Sequence, residues 1–344
     1  MKTNIKEKAI SRIVDQLEFL KKNKDRITID ADTHITDIKN LNPEFKSRLE
    51  SDNYYHGKPI SAEDLVKEMD MAGVDMALVW QNPSSTQYSE DSEKNFESLY
   101  NANKYIYESS VNMPHRLIPA GWTDPRALGE ELAIKLVDIC VFEFGFGIVK
   151  LNPAQNAFPI DSDIVKKMVD RIVQNGAVPA FHFGADTEFT PAEGLAIIAE
   201  RIAPESLIAV HMGGGGASYT GAETLYNQAR QLGLEKPNIR YVLSAKRDTH
   251  IESDLITYTL AGKPYIDNLF CASDAPYGRM TWNFGGYRQM FKSLINGAAH
   301  TDIRLKENPN LFTEEITQKF LGGNMAEFAI NINSRMLENI IRRK

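Results

Sequence analysis

Cysteine is scarce in this chain. Only two occur among 344 residues, Cys140 and Cys271, and both lie within apolar runs. Two such thiols do not form the dense disulfide framework that stabilises small secreted domains. We therefore expect reduced, buried cysteines that serve as packing residues, and a cytoplasmic protein.

Long apolar runs and basic clusters are also missing. No stretch approaches the roughly 20 apolar residues that cross a bilayer. Residues 1–26 carry apolar side chains at helical spacing with charges between them, which predicts an amphipathic helix and neither a signal peptide nor a membrane span. The net charge is -7, and only the last residues, IRRK, are rich in Lys and Arg. This argues against a nucleic acid or a membrane as partner and favours a small-molecule substrate.

Strand-like apolar runs recur along the chain, and each is followed by a loop and a segment with helical periodicity. This alternation predicts βα units around a parallel sheet. The runs cover residues 27–32, 74–80, 116–122, 147–151, 177–183, 207–212, 239–243 and 268–274. Eight units without an internal repeat predict an α/β fold, the (β/α)₈ or TIM barrel. We predict one barrel domain over 27–344, with the helix of 1–26 packed on it.

One predicted helix has clear signals at both ends. In the stretch SAEDLVKEMDMAG, Ser61 and Asp64 form a capping box, and Gly73 follows the last helical residue. These signals predict a helix between Ser61 and Gly73, directly before the second strand.

Side chains suited to metal or proton chemistry end four of the predicted strands. Strand 1 ends in Asp32 and His34, strand 5 in His182, strand 6 in His211 and strand 8 in Asp274. The carboxyl ends of barrel strands meet at one mouth, where such folds keep their active sites. Asp32 and His34 also share one face of their strand, because side chains alternate with period two. We therefore predict that these side chains converge on one site.

Two imidazoles and two carboxylates suit one divalent ion such as zinc, manganese or iron. Such an ion lowers the pKa of a water from about 15.7 toward about 7 and polarises a substrate oxygen. His211 is a candidate for moving a proton, because the ordinary pKa of an imidazole is close to neutral. A single Asp-x-His or a lone His is more often structural, so the metal interpretation depends on the four strand ends together.

The same segments resemble the amidohydrolase superfamily, in the amidohydrolase-related (amidohydrolase 2) branch that includes aminocarboxymuconate semialdehyde decarboxylase and γ-resorcylate decarboxylase. The resemblance covers nearly the whole chain. IDADTH is similar to the strand 1 metal motif, MDMAGVDMALV to the helix and strand 2 segment, VPAFHFG to strand 5, IAVHMGG to strand 6 and LFCASDAPYG to strand 8. FLGGNMAEFAI, with Asn324, is similar to the family's C-terminal Gly-Asn helix.

The resemblance implies a barrel of the metal-dependent hydrolase type. It implies a metal held by Asp32, His34, His182 and Asp274, with His211 as the catalytic imidazole. The commonest superfamily pattern has His-x-His on strand 1; here Asp32 takes the first position, which makes the ligand set harder and leaves manganese open beside zinc, our first expectation. In hydrolases of the family Asp274 would take the proton of the metal-bound water, whereas in decarboxylases an acid protonates the carbon that loses carbon dioxide.

Other polar residues near the predicted mouth are candidates for substrate or second-metal contacts. Lys150, at the end of strand 4, holds the position at which binuclear superfamily members carry a carbamylated lysine; a structural or substrate contact is the alternative. The loops after strands 3, 7 and 8 add Trp122, Lys246, Arg247, His250, Tyr277 and Arg279. For most of these loop residues, solvation or a subunit contact is the simpler explanation.

The sequence supports three functional hypotheses. The first is a metal-dependent hydrolase in which metal-activated water attacks an amide or lactone of a small carboxylated or cyclic substrate. The second is a metal-dependent, non-oxidative decarboxylase, a carboxy-lyase, of an aromatic or muconate-like acid; no residue separates the two. The third, a barrel that binds a ligand without turnover, is disfavoured because the whole predicted metal set is present. A homodimer is left open.

Overall fold

Parallel strands alternate with helices throughout the computed structural model, which describes residues 2–50, 57–184, 188–215 and 223–342. The strands of this part of the chain are β1 (Ile29–Ile35), β2 (Met76–Gln81), β3 (Leu117–Pro119), β4 (Gly121–Trp122), β5 (Ile148–Leu151), β6 (Val178–His182), β7 (Leu207–Val210), β8 (Ile239–Leu243) and β9 (Leu269–Cys271). The α-helices are α1 (Lys2–Asn23), α2 (Pro43–Lys46), α3 (Ala62–Ala72), α4 (Ser92–Asn112), α5 (Pro125–Asp138), α6 (Pro153–Asn156), α7 (Asp163–Gln174), α8 (Ala192–Ile202), α9 (Glu223–Glu235), α10 (Asp248–Ala261), α11 (Met280–Ile295), α12 (Ile303–Glu307), α13 (Glu314–Gln318) and α14 (Asn324–Arg342).

The strands form a ring of parallel neighbours. β1, β2 and β3 are hydrogen-bonded in that order, and β4 to β9 follow in chain order. β3 and β4 continue one another, with Ala120 between them, and the ring closes where Thr33 of β1 bridges Ala275 just after β9. This arrangement confirms the predicted (β/α)₈ barrel.

Some predicted strand boundaries were wrong. The third predicted strand, 116–122, is divided into β3 and β4 after Pro119, a residue that has no backbone N–H to give to a sheet. β1 extends to Ile35 because it stays paired with β2 that far, so Asp32 and His34 lie inside the strand. β9 ends at Cys271, and Asp274 beyond it has a left-handed φ of 60°, which an extended strand does not contain.

The end signals of α3 are confirmed. The backbone N–H of Asp64 donates to Ser61 Oγ at 3.1 Å, which satisfies one of the free donors of the first turn. Gly73 follows the helix with a φ of 63°, a left-handed conformation that glycine adopts at low cost. The helix therefore begins and ends where the sequence predicts.

Helix α1 packs against α14 and covers the amino ends of the strands. Ile13 and Leu20 on its inner face are fully buried. Arg12 donates to Gly145 O at 2.6 Å, before β5, and Gln16 donates to Leu117 O at 2.7 Å, at the start of β3. α1 thus lies at the opposite end of the barrel from the carboxyl ends of the strands; a domain boundary at residue 26 stays a prediction.

Two expectations from composition can be compared with the described residues. Cys140 and Cys271 are both buried free cysteines. Among the described helices, none combines the length and the apolar character that a membrane crossing needs.

Candidate metal centre

Three of the predicted site residues form a compact cluster at the mouth of the barrel. The potential ligand atoms of Asp32, His34 and Asp274 all lie within 4.8 Å of one another. His34 Nε2 is 3.4 Å from Asp274 Oδ1 and 3.7 Å from Asp32 Oδ1. Asp32 and His34 are almost completely buried. One nitrogen and two carboxylate groups at this spacing form a partial ligand set for a divalent cation.

The closure of the barrel brings these residues together. Asp32 and His34 belong to β1, and Asp274 follows β9, the last strand. The N–H of Asp274 donates to Asp32 O at 3.0 Å, and the N–H of His34 donates to Ala275 O at 2.7 Å. The cluster therefore sits on the seam between the first and last strands.

The imidazole of His34 is oriented for a ligand role. Its Nδ1 donates to the backbone carbonyl of Gln81 at 2.7 Å, which leaves Nε2 facing the two carboxylates. Burial, followed by the positive charge of Lys150, lowers the pKa of His34 to about 4. The ring is therefore neutral at physiological pH and presents a lone pair at Nε2.

The two carboxylates of the cluster have different environments. Asp32 Oδ1 accepts from Trp80 Nε1 at 2.8 Å and from Lys150 Nζ at 3.4 Å, and Asp32 Oδ2 accepts from Ser244 Oγ at 2.7 Å. Burial alone would raise the pKa of Asp32, but the charge of Lys150 and the hydrogen bond from Ser244 hold it below its usual range. Burial and the charge of Asp32 raise the pKa of Asp274 to about 7.

His211 directly follows β7 and has a left-handed φ of 77°. Its Nδ1 lies 2.8 Å from Ser244 Oγ. Since the Ser244 hydroxyl donates its hydrogen to Asp32, it accepts from His211 Nδ1–H, which leaves Nε2 as the unprotonated nitrogen of the neutral ring. Burial lowers the pKa of His211. This chain of hydrogen bonds fixes the orientation of the imidazole and leaves Nε2 as the ring nitrogen that can accept a proton.

His182 ends β6 beside His211, with the two ring centroids 4.6 Å apart. It does not belong to the cluster of ligand atoms within 4.8 Å, so the structure unites three of the four predicted ligands. Its Nε2 is buried and has no hydrogen-bond partner among the described residues. Burial lowers the pKa of His182, so this ring is neutral too. An unpaired buried nitrogen is costly, and a ligand role for His182 would account for it.

These observations fit a divalent metal at the mouth. His34 is oriented by its own hydrogen bond, two carboxylates face it, and His182 Nε2 has a lone pair without a donor. His nitrogen and Asp oxygen are ligands that zinc and manganese both accept.

Lys150 lies inside β5 and is fully buried. Its Nζ is 3.4 Å from Asp32 Oδ1 and 3.9 Å from the centroid of the Trp80 ring. Both neighbours stabilise a cation, the first by its charge and the second by its π face. A carbamylated lysine would place a second negative group against Asp32, so these contacts favour an ammonium ion.

A cavity of about 890 Å³ opens above the cluster. Its described wall includes His34, Lys150, His182, His211, Asp274 and Tyr277. Lys246 also reaches it and is paired with the buried carboxylate of Asp254.

The other predicted contact residues lie outside this described wall. Trp122 is buried behind it, with its ring centroid 6.4 Å from that of His34. Arg247 and His250 lie at the start of α10, where the His250 ring packs 4.3 Å from that of Tyr226. Arg279 lies over the ring of Trp282, 4.9 Å from its centroid.

Three residues of the site were missed in the sequence. Trp80 and Ser244 both hydrogen-bond Asp32, and Asp30 lies two residues before it in the same strand. The sequence contained an indication of each residue. Trp80 is near the end of a predicted strand, and Ser244 directly follows another. Asp30 extends the alternating pattern of strand 1 to Asp-x-Asp-x-His. Tryptophan and serine at such places are usually packing or loop residues, so the signals are weak.

Comparisons with known proteins bear on the fold of the chain. No protein-family model and no curated protein matches the sequence. Solved structures do match. A 5-carboxyvanillate decarboxylase from Sphingomonas paucimobilis superposes with a TM-score of 0.60 at 14% identity, over 88% of this chain and 98% of that one. The structure of the present chain is thus similar to those of amidohydrolase-related enzymes.

Two further matches to the amidohydrolase-related fold contain ligands. A 2,6-dihydroxybenzoate decarboxylase in complex with 2,6-dihydroxybenzoate has a TM-score of 0.58 at 14% identity, over 88% of this chain and 99% of its own. A dihydroxybenzoic acid decarboxylase from Polaromonas sp. JS666 contains manganese and the inhibitor 2-nitroresorcinol. It has a TM-score of 0.57 at 15% identity, over 89% of this chain and 97% of its own. The resemblance predicted from the motifs is thus confirmed for the fold.

Other amidohydrolase-related matches catalyse different reactions. They include a 4-oxalomesaconate hydratase from Rhodopseudomonas palustris and a probable 2-pyrone-4,6-dicarboxylic acid hydrolase from Acinetobacter baumannii, each with a TM-score of 0.52. A second 5-carboxyvanillate decarboxylase, from Novosphingobium aromaticivorans, contains manganese. Manganese is therefore the metal named in these matches, and our expectation of zinc finds no specific support in them.

Proposed function

We propose that this chain is a metal-dependent, non-oxidative decarboxylase of the amidohydrolase-related branch. One observation carries the proposal: the cluster of Asp32, His34 and Asp274 lies at the mouth of a barrel whose matched structures are mostly decarboxylases of aromatic acids. The sequence alone put hydrolysis first. We place decarboxylation ahead of hydrolysis because most of the matched structures are decarboxylases.

We further propose that Asp32, His34, His182 and Asp274 hold one divalent ion, with manganese ahead of zinc. When bound, this ion would polarise a substrate oxygen and anchor the substrate carboxylate. The ring of His34 is already fixed by Gln81 O, and the hydrogen bonds from Trp80 and Ser244 fix the carboxylate of Asp32. The chain thus pre-orients both ligands that β1 contributes.

The remaining polar residues of the mouth suit the loss of carbon dioxide. The Lys150 ammonium ion lines the cavity and adds positive charge beside the substrate carboxylate. When the carbon–carbon bond breaks, its electron pair stays on the substrate carbon and needs a proton. His211 takes up a proton from solvent at Nε2 and passes it to that carbon, while Ser244 and Asp32 hold the ring through Nδ1.

The substrate class follows from the same comparison. The matched structures contain 2,6-dihydroxybenzoate and 2-nitroresorcinol, both small aromatic molecules. A cavity of about 890 Å³ with a lysine and imidazoles in its wall can hold a molecule of this size and charge. We propose a small aromatic or unsaturated carboxylic acid as substrate, and the buried, unpaired cysteines support a cytoplasmic location.

Hydrolysis of a lactone or amide is the second candidate, and one feature of the site favours it. Burial and Asp32 raise the pKa of Asp274 to about 7, which suits a base that takes a proton from water at neutral pH. A probable hydrolase of 2-pyrone-4,6-dicarboxylic acid is among the matched structures.

A side-by-side assay separates the two reactions. The chain, loaded with Mn²⁺, is incubated with 2,6-dihydroxybenzoate, 5-carboxyvanillate and 2-pyrone-4,6-dicarboxylate, and released carbon dioxide and opened lactone are measured. We expect carbon dioxide from an aromatic acid and a loss of roughly 10²- to 10⁴-fold in His211→Asn. His115→Asn is the control, because that imidazole stacks on Phe19 of α1 at the other end of the barrel.

One result would contradict decarboxylation, and another would contradict the role of His211. Lactone opening without carbon dioxide release would establish the hydrolase instead. Carbon dioxide release that His211→Asn and His115→Asn reduce equally would show that the reaction does not use this imidazole.

A further inference from the structure

A carboxylate with no place in the proposed ligand set lies directly below the metal centre. Asp30 of β1 is fully buried. Its Oδ1 accepts two backbone hydrogen bonds, from the N–H of Asp32 at 3.1 Å and from the N–H of Ser273 at 3.0 Å. One oxygen atom thus connects the first strand to the segment after the last strand.

Ser273 extends this connection around Asp274. Its hydroxyl donates to Asp30 Oδ2 and accepts from the N–H of Ala275 at 3.1 Å. The residues on both sides of Asp274 are therefore held by the pair of Asp30 and Ser273. This matters because Asp274 has a φ of 60°, a left-handed conformation that is uncommon for residues other than glycine, although aspartate adopts it more often than most.

The burial of Asp30 argues for a role beyond packing. A carboxylate inside a protein loses its hydration, and apolar residues of similar size usually fill such a position at lower cost. At this position the carboxylate accepts from three donors on two segments, and each of these segments carries a proposed metal ligand.

We propose that Asp30 is a positioning residue for the metal centre. Through Ser273, it fixes the spacing between the carboxylates of Asp32 and Asp274 across the seam of the barrel, and so sets the affinity for the metal. The inference rests on the proposed function, because it takes Asp32 and Asp274 as ligands. Residues that support metal ligands in this way typically change metal affinity by about 10- to 100-fold when they are removed.

The test measures Mn²⁺ affinity and stoichiometry on the full chain after chelator treatment, by competition with a chromogenic chelator. We expect about one Mn²⁺ per wild-type chain, and roughly 10- to 100-fold weaker binding in both Asp30→Ala and Ser273→Ala. Asp30→Asn keeps an acceptor for the two N–H groups and should lose less than Asp30→Ala. If Asp30→Ala does not fold, Ser273→Ala, which removes a single hydroxyl, still decides the question.

Asn324→Ala is the matched control. The Asn324 side chain donates to Ile266 O at 2.8 Å and to Leu269 O at 3.0 Å, at the opposite end of β9. Its removal should lower the melting temperature and leave Mn²⁺ affinity unchanged. A purely structural Asp30 would behave like this control.

Two different results would overturn the inference. If Asp30→Ala and Ser273→Ala melt earlier but bind Mn²⁺ as tightly as wild type, Asp30 only stabilises the fold, and the proposed metal site stands. If the wild-type chain itself binds neither Mn²⁺ nor Zn²⁺, the proposed function fails and this inference fails with it. The first result is seen only in the variants and the second already in the wild type.

Discussion

Asp32 and Asp274 carry the same side chain, yet the surrounding residues shift their pKa values in opposite directions. Asp32 faces Lys150 and accepts a hydrogen bond from Ser244, and both favour its charged form despite its burial. Asp274 is buried next to that charge, and its pKa rises to about 7. Two titratable groups whose pKa values are driven apart in this way can take different roles in one site. Asp32 is a permanent anion, while Asp274 exchanges a proton near neutral pH.

This difference predicts how metal affinity depends on pH. Below pH 7 Asp274 carries a proton that must leave when the metal binds, so the affinity for Mn²⁺ should rise about tenfold per pH unit up to pH 7 and then level off. His34, with its pKa of about 4, is already neutral in this range and releases no further proton. Titrations of Mn²⁺ between pH 5.5 and pH 8 check the profile. Asp274→Asn should bind more weakly and lose the pH dependence; a flat wild-type profile would show that Asp274 does not hold a proton near neutral pH.

Sequence reasoning reached some residues of the site and not others. Asp32, His34 and Asp274 could be predicted to meet because they mark strand ends in a barrel. The separation of His182 from that cluster could not, since it depends on the positions of whole side chains at the mouth. The contact between Lys150 and Asp32 likewise depends on the ring of Trp80, which fixes the lysine from one side.

The loops at the mouth are joined by a tyrosine. The Tyr277 hydroxyl, after β9, donates to Asn82 Oδ1 at 2.9 Å, accepts from the N–H of Ser84 at 3.1 Å and also contacts the Ser84 hydroxyl. Arg48, after β1, donates to the carbonyl of Ser84 at 2.6 Å. Segments that follow β1, β2 and β9 are thus tied together on one side of the metal centre.

Tyr277→Phe should loosen the loop after β2. The substitution removes one of the two acceptors of the Ser84 N–H, the other being Asn82 Oδ1 at 3.0 Å, and it also removes the hydrogen bond that Tyr277 donates to Asn82 Oδ1. The loss of a hydrogen bond worth about 1 kcal/mol corresponds to roughly fivefold faster amide exchange. Hydrogen exchange with mass spectrometry on the 82–85 segment measures this effect. Tyr105→Phe is the control, because the Tyr105 hydroxyl accepts from the N–H of Ala62 and should affect exchange only there. Unchanged exchange at Ser84 in Tyr277→Phe would show that other contacts hold the loop.

The ends of some helices and strands could be predicted from the sequence, and the ends of others could not. The ends of α3 follow from Ser61 and Gly73, whose effects are local. The ends of β7 and β9 were placed too late, because His211 and Asp274 adopt left-handed conformations. Hydrogen bonds between Ser244 and His211 and between Asp274 and Asp32 of β1 support these conformations. Local patterns thus located each strand, and tertiary hydrogen bonds decided where it stopped.

At the scale of the whole molecule, stability and chemistry lie at opposite ends of the barrel. Ile13 of α1 is fully buried under the amino ends of the strands, and the candidate ligands lie at the carboxyl ends. Ile13→Ala should therefore lower the free energy of unfolding by about 2–5 kcal/mol, the usual range for such a cavity. Mn²⁺ stoichiometry should stay the same.

Urea unfolding and Mn²⁺ titration of the same samples test this prediction. Lys8→Ala, at an exposed position of the same helix, serves as the control and should change neither quantity. A folded Ile13→Ala chain that binds no Mn²⁺ would mean that α1 influences the mouth of the barrel. It would contradict the proposal that 1–26 is a structural addition to the barrel domain.

The position of the ligands on the seam also concerns the synthesis of the protein. Asp32 and His34 leave the ribosome early, whereas Asp274 emerges only when most of the chain has been translated. Until then, β1 has no last strand beside it, and the backbone bonds from Asp274 to Asp32 and from His34 to Ala275 do not exist. A nascent or prematurely terminated chain therefore lacks a complete site. With the proposed ligand set, metal loading would be a late event, restricted to molecules whose translation has passed β9.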